Sequence, residues 1–211
     1  MIKVYPAILT DDLDDFRHKL KQVKFAKFIQ IDIMDGKFVK NKSLMPKDIK
    51  KIKIAQKVEY HLMIKNPENK IDEFLKLKPF SIIIHYESTK KLDYLIKKIK
   101  SKKVKIGIAI NPETKIEKVF PYLKKIDSVL VMAVHPGFYH SRFTPTSLDK
   151  IRRLRKKTKL PIEIDGHEDE KTCTLSTKAG ANILISGSYI FNNNPKKAYK
   201  RLLNINSRQH N

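Results

Sequence analysis

The chain is short of several things, and each shortage removes a class of protein. Among its 211 residues there is one cysteine, Cys173. A disulfide framework is therefore excluded, and a cytoplasmic location is the expectation. Tryptophan is absent, and no basic run is interleaved with aromatic residues as in a nucleic-acid-binding module. No apolar run approaches the roughly 20 residues that a membrane span needs. The opening Met1-Ile-Lys-Val-Tyr-Pro6 lacks the apolar centre of a signal peptide and reads as an immediate first strand. Acids are scarce: 22 Asp and Glu stand against 45 Lys and Arg, a formal net charge of +23. That balance suits a polyanion partner or the steering of phosphorylated substrates. The lysines are spread through nearly every segment, however, so solvated helix faces account for the charge better, and no specific nucleic-acid partner is expected.

What is present is enough for one sizeable domain, since 41% of the residues are hydrophobic and 9% aromatic. Short apolar runs alternate with amphipathic, lysine-faced segments from end to end. The runs predict strands over Ile2–Val4, Phe28–Ile33, Val58–Leu62, Ser81–His85, Val104–Ala109, Ser128–Ala133, Ile162–Asp165 and Ile183–Ser186. Helical patterns lie between them, over Asp12–Val23, Pro67–Leu77, Leu92–Lys100, Ile116–Leu123, Ser147–Lys156 and Lys171–Ala179. Strand followed by helix, repeated eight times, implies an α/β fold of the (β/α)₈ TIM-barrel kind. A doubly wound open sheet is the weaker reading, because no Gly-x-Gly-x-x-Gly follows the first strand. Residues 1–203 are read as a single barrel and 204–211 as a polar tail.

The second strand is the unusual one. Gln30 and Asp32 interrupt its β-branched run two residues apart, so both face the same side. A carboxylate aimed into a barrel interior is costly unless it is paired, metal-bound or catalytic. Candidate partners stand at other strand ends: His61 and Met63 on the third, His85 and Glu87 on the fourth, Met132 on the sixth, Asp165 and Gly166 on the seventh, and Gly187 and Ser188 after the eighth. In a barrel the C-terminal strand ends carry the chemistry. On the fifth, Pro112 stops the strand and Thr114 is placed to cap the next helix. Asp35 reads as a turn residue rather than a third acid.

Taken together, Pro6-Ala-Ile-Leu9, Ile31-Asp-Ile-Met-Asp-Gly-Lys-Phe-Val39, His61-Leu-Met63, Asn111-Pro-Glu-Thr114, Met132-Ala-Val-His-Pro-Gly-Phe138, Ile164-Asp-Gly166 and Gly187-Ser188 resemble the ribulose-phosphate 3-epimerase family over nearly the whole chain. The resemblance implies a ribulose-phosphate-binding barrel that inverts the carbon beside a ketone, interconverting ribulose 5-phosphate and xylulose 5-phosphate. It implies that Asp32 and Asp165 transfer the protons through an enediolate. It implies a divalent metal (Zn, Fe, Mn or Co) held by Asp32, His61 and Asp165, with Gln30 standing where a further histidine is expected and binding therefore weaker. Met34, Met63 and Met132 would shield the reacting carbon from water, and Gly166, Gly187 and Ser188 would contact the substrate.

Other departures from the family pattern fall at the phosphate. His140, Ser141 and Arg142 replace small residues and His167 replaces a glycine; all four are candidate anion partners, Arg142 as a bidentate fork. Ala7 stands in place of a serine. The expected partner is a small phosphosugar, with no membrane involved and a homo-oligomer left open. Two alternatives stand beside the main reading. One is an epimerase of another ketose phosphate, of the allulose 6-phosphate type; the other is a degenerate barrel that binds sugar phosphate or polyanion without turnover.

Overall fold

A computed structural model describes residues 1–137, 143–166 and 169–205. Eight parallel strands close into a barrel in sequence order, β1 (Lys3–Ile8), β2 (Phe28–Met34), β3 (Lys57–Met63), β4 (Ser81–His85), β5 (Lys105–Ile110), β6 (Ser128–Met132), β7 (Ile162–Asp165) and β8 (Ile183–Ser186), with β8 pairing back onto β1. The helices are α1 (Leu13–Gln22), α2 (Pro46–Ile49), α3 (Ile71–Lys76), α4 (Leu92–Ser101), α5 (Thr146–Arg155), α6 (Glu170–Ala179), α7 (Ser188–Phe191) and α8 (Pro195–Leu203). None of the described helices is long and apolar enough to cross a membrane.

The helices obey local rules. Asp12 accepts from the backbone N–H groups of Asp14 and Asp15 and starts α1. Asp169 and Thr172 form a reciprocal capping box on α6, which ends at Gly180 in the left-handed region. Two expected helices differ from the pattern. The segment after Asn66 breaks at Lys70 into a short 3₁₀ turn and α3. Ile116–Tyr122 is 3₁₀ throughout, because Pro121 has no N–H to donate and its ring crowds the preceding turn. The first strand runs past Pro6 to Ile8, since a proline in extended backbone still pairs in register with Ser186.

Alternate strand residues divide between two cores. One face of each strand packs against the helices in a large cluster that includes Phe16, Ile29, Ile31, Leu62, Phe74, Ile99, Val129 and Ile151. The other face fills the barrel, where Tyr5, Ala7, Ile83, Ala109, Leu130, Met132, Ile183 and Ile185 are buried together. At the strand starts Phe28 stacks on Tyr5 with ring centroids 5.0 Å apart and meets Phe80 edge-on at 5.0 Å. Ammonium groups surround this plug: Lys3, Lys27 and Lys57 lie 5.4, 5.8 and 5.9 Å from the Phe28 centroid, and Lys105 lies 4.8 Å from that of Phe80.

Candidate active site

The polar residues of the interior sit at the opposite ends of the strands. Asp32 of β2 and His61 of β3 are direct register neighbours, so parallel pairing alone sets them side by side. Asp165 closes β7, three strands away around the ring through β1 and β8. His61 Nδ1 lies 3.2 Å from Asp32 Oδ1 and 3.3 Å from Asp165 Oδ2. One donor atom from each of the three residues falls within 4.8 Å of the others, a spacing that fits a single divalent ion.

Gln30, fully buried one step down β2, joins this group as the sequence suggested, but by its nitrogen. Its Nε2 donates to Asp32 Oδ1 at 2.9 Å and to Asp165 Oδ2 at 3.0 Å, and stands 3.5 Å from His61 Nδ1. The carbonyl Oε1 of the same amide is buried with no hydrogen-bond partner among the described residues. Leaving such an atom unpaired costs about 1–3 kcal/mol. Ala7 is the register neighbour of Gln30 on β1.

Burial pushes the pKa of Asp32 up and the charge of Asp165 adds to it, against hydrogen bonds from His61 and Gln30. Burial by itself would lower His61, yet Asp165 and Asp32 together push it up to about 9. His61 Nε2 meets His85 Nε2 at 2.8 Å, and the two rings stack with centroids 4.9 Å apart. His85 is held low by its burial and by the neighbouring His61, so it is the neutral member and accepts from His61. That hydrogen bond leaves Nδ1 of His61 as the atom facing the acids. Behind His85, Glu87 Oε2 lies 3.6 Å from Nδ1, and Glu87 accepts from the backbone N–H of Asn111 and from the Thr114 hydroxyl. Thr114 therefore does not cap a helix; its hydroxyl anchors Glu87.

Around this centre the methionines separate. Met34 and Met63, register partners, pack with Val39, Leu9 and Phe38, whereas Met132 lies with the barrel interior beside Ala109, Leu130 and Val134. Phe38 reaches over His85 with ring centroids 4.9 Å apart. Asp35 holds its loop: although partial burial opposes it, the backbone N–H groups of Phe38, Lys37 and Lys65 lower its pKa, and it acts as a turn residue. A cleft of about 610 Å³ opens alongside, lined by Lys37, Phe38, Lys65, Glu87, Lys90 and Lys91; its walls stop short of Asp32 and Asp165.

Gly166 and Gly187, the two glycines expected to contact substrate, are fixed by the protein itself. Gly166 has φ +116°, and a Cβ there would stand 2.5 Å from the Val134 side chain. A Cβ on Gly187 would stand 3.0 Å from the Ala7 carbonyl oxygen. Ser188 opens α7 directly after it. His140, Ser141, Arg142 and His167 lie outside the described residues.

One feature escapes sequence reasoning. Glu59 and Glu163 sit two residues before His61 and Asp165, point inward and lie close enough in the barrel core to act on each other, with Glu59 Oε1 and Glu163 Oε2 unpartnered among the described residues. Burial raises both, and the charge of Glu163 raises Glu59 further. Ser81 donates its hydroxyl to Glu59. Their signal was available, since each shares the inward parity of the residue two positions further on, His61 or Asp165.

The family model of the ribulose-phosphate 3 epimerase family matches residues 3–191. The chain belongs to the ribulose-phosphate 3-epimerase family. It is 33% identical over 207 residues to the ribulose-phosphate 3-epimerase of Bacillus subtilis (strain 168), covering 93% of this chain and 95% of that protein. To the enzyme of the same name from Chlamydia pneumoniae it is 35% identical over 201 residues, covering 90% and 88%. Among solved structures, the 3-hexulose-6-phosphate synthase of Salmonella typhimurium superposes with a TM-score of 0.76 over 97% of this chain and 98% of that one, at 14% identity. At that identity the likeness speaks for the barrel alone. An isomerase of the epimerase family is thus what this barrel carries, and the three-residue donor cluster is consistent with a divalent metal in it.

Proposed function

We propose that the chain interconverts ribulose 5-phosphate and xylulose 5-phosphate. The observation that carries this reading is the placing of two carboxylates, Asp32 and Asp165, from separate strands around one centre with His61 between them. Inversion at C3 needs a base on one face of the carbon and an acid on the other. In one direction Asp32 removes the C3 proton as electron density moves onto the C2 oxygen, giving an enediolate; Asp165 returns a proton to the opposite face. In the reverse direction the roles exchange, so no net proton is taken up.

A divalent cation held by Asp32, His61 and Asp165 would supply positive charge opposite the enediolate oxygens. His85 fixes the ring of His61 through Nε2 and keeps Nδ1 toward the acids. Met34, Met63 and Met132, all buried, exclude water from the reacting carbon. Gly166, Gly187 and Ser188 are the proposed substrate contacts, with His140, Ser141, Arg142 and His167 the proposed anion partners in place of the family's small residues.

The test is exchange in D₂O. With Mn²⁺ supplied, ribulose 5-phosphate should acquire deuterium at C3 as xylulose 5-phosphate appears. Exchange on another ketose phosphate of a panel, but not on ribulose 5-phosphate, would replace the substrate; no exchange on any would remove the epimerase reading.

A further inference from the structure

Gln30 presents two faces of opposite polarity to one place. Its N–H₂ group fills the space bounded by Asp32 Oδ1, Asp165 Oδ2 and His61 Nδ1, at 2.9, 3.0 and 3.5 Å. There it does what a cation would do for two adjacent carboxylates, bridging them with donors. The other half of the amide, Oε1, is fully enclosed and has no hydrogen-bond partner among the described residues. An amide so placed is well satisfied on one face and unsatisfied on the other. Turning it over would set an unpaired carbonyl oxygen toward the acids, which is repulsive unless a cation lies between them. With a cation the same oxygen becomes a ligand, and the N–H₂ gives up a place that the ion then fills.

We propose that the Gln30 carboxamide is a two-position switch: it bridges Asp32 and Asp165 through its nitrogen when the site is metal-free, and turns its oxygen inward as a ligand when a divalent cation binds. The donor set with the cation is then three oxygens, from Asp32, Asp165 and Gln30, and one imidazole nitrogen, from His61. Oxygen donors favour Mn²⁺ relative to Zn²⁺, whereas a second imidazole would favour Zn²⁺. The ion is also bound reversibly, because the amide bridge competes with it. This inference rests on the metal-assisted reading of the site proposed above.

The experiment measures Mn²⁺ and Zn²⁺ dissociation constants for the full chain stripped of metal, together with the melting temperature with and without each ion. Gln30→His is expected to raise the preference for Zn²⁺ over Mn²⁺ at least tenfold. Gln30→Leu, which has neither face, is expected to weaken Mn²⁺ binding at least tenfold and to melt lower than wild type when stripped of metal. Gln30→Glu keeps an oxygen and loses the N–H₂. It should bind Mn²⁺ at least as tightly as wild type yet melt lower without it, and regain stability when Mn²⁺ is added. Equal Mn²⁺ affinity in wild type and Gln30→Leu would overturn the switch, as would an unchanged metal preference in Gln30→His or failure of the wild type to bind either ion. C3 exchange read on the same samples separates the two proposals. Metal behaviour as expected without exchange removes the epimerase reading alone; exchange without metal binding removes the switch alone.

Discussion

His61 and His85 touch through their Nε2 atoms at 2.8 Å, one ring facing the two acids and the other facing Glu87. Only one proton can occupy that line, and His61 supplies it, because Asp165 and Asp32 raise His61 whereas burial and the neighbouring His61 lower His85. His85 is thus a positioning residue. His85→Leu should weaken Mn²⁺ binding about 10–100-fold, while His85→Gln, whose amide oxygen can accept the same hydrogen, should recover most of it. Metal titration of the two variants checks this. Equal loss in both would mean that His85 serves packing alone.

Asp32 and Asp165 serve opposite faces of one carbon in the proposed reaction, so their variants should differ in kind. Asp32→Asn and Asp165→Asn, at saturating Mn²⁺, should each lower kcat/KM about 10²–10⁴-fold. In D₂O each variant should still exchange the C3 proton of one epimer and not the other, and the two should choose different epimers. Loss of exchange from the same epimer in both variants would sink the two-acid scheme.

The raised pKa of His61 makes stability depend on pH in a stated direction. Its ordinary value is 6.5 and its folded value about 9, so the folded chain holds the proton more tightly. That stabilisation is complete below about 6.5 and is lost as pH rises through about 9. The protein stripped of metal should therefore melt progressively lower across that window, and His61→Asn should flatten the fall. Denaturant unfolding at a series of pH values reads it.

Glu59 contributes a slope of the same sign, since an acid raised by burial and by Glu163 destabilises the fold once ionised. Glu59→Gln keeps the side chain's size and its contact with Ser81 but cannot ionise. It should equal or exceed wild type in stability above neutral pH. Glu59→Leu instead strands Glu163 and should cost about 1–3 kcal/mol. The part of the wild-type pH slope that survives in Glu59→Gln and is lost in His61→Asn belongs to His61.

The strand pattern carried most of the fold. Ser81–His85, Ile162–Asp165 and Ile183–Ser186 stand where the apolar runs placed them, and the remaining strands differ mainly at their ends. Buried parallel strands are near-continuous apolar runs, which is why they can be read so directly. Pro6 hid the second half of β1, and Pro121 turned an expected helix into 3₁₀ turns, both being effects of one missing N–H. In the site, parity along β2 placed Gln30 with Asp32, and the matching motifs supplied His61 and Asp165. Which end of the Gln30 amide faces the acids depends on charges from two other strands, and no single stretch of sequence holds that information. The His61–His85 contact is hidden for the same reason. Glu59 and Glu163 lie on separate strands, β3 and β7, and no single stretch of sequence pairs them either.

The aromatic plug at the strand starts has a consequence for traffic. With Phe28 laid on Tyr5 and braced by Phe80, the barrel is a cul-de-sac with one door. On the function proposed above, a sugar phosphate that enters at the C-terminal ends of the strands leaves by the same route, and product held there excludes the next substrate. Lys3, Lys27, Lys57 and Lys105 gather positive charge around that sealed end, so the closed end of the barrel is cationic as well as aromatic.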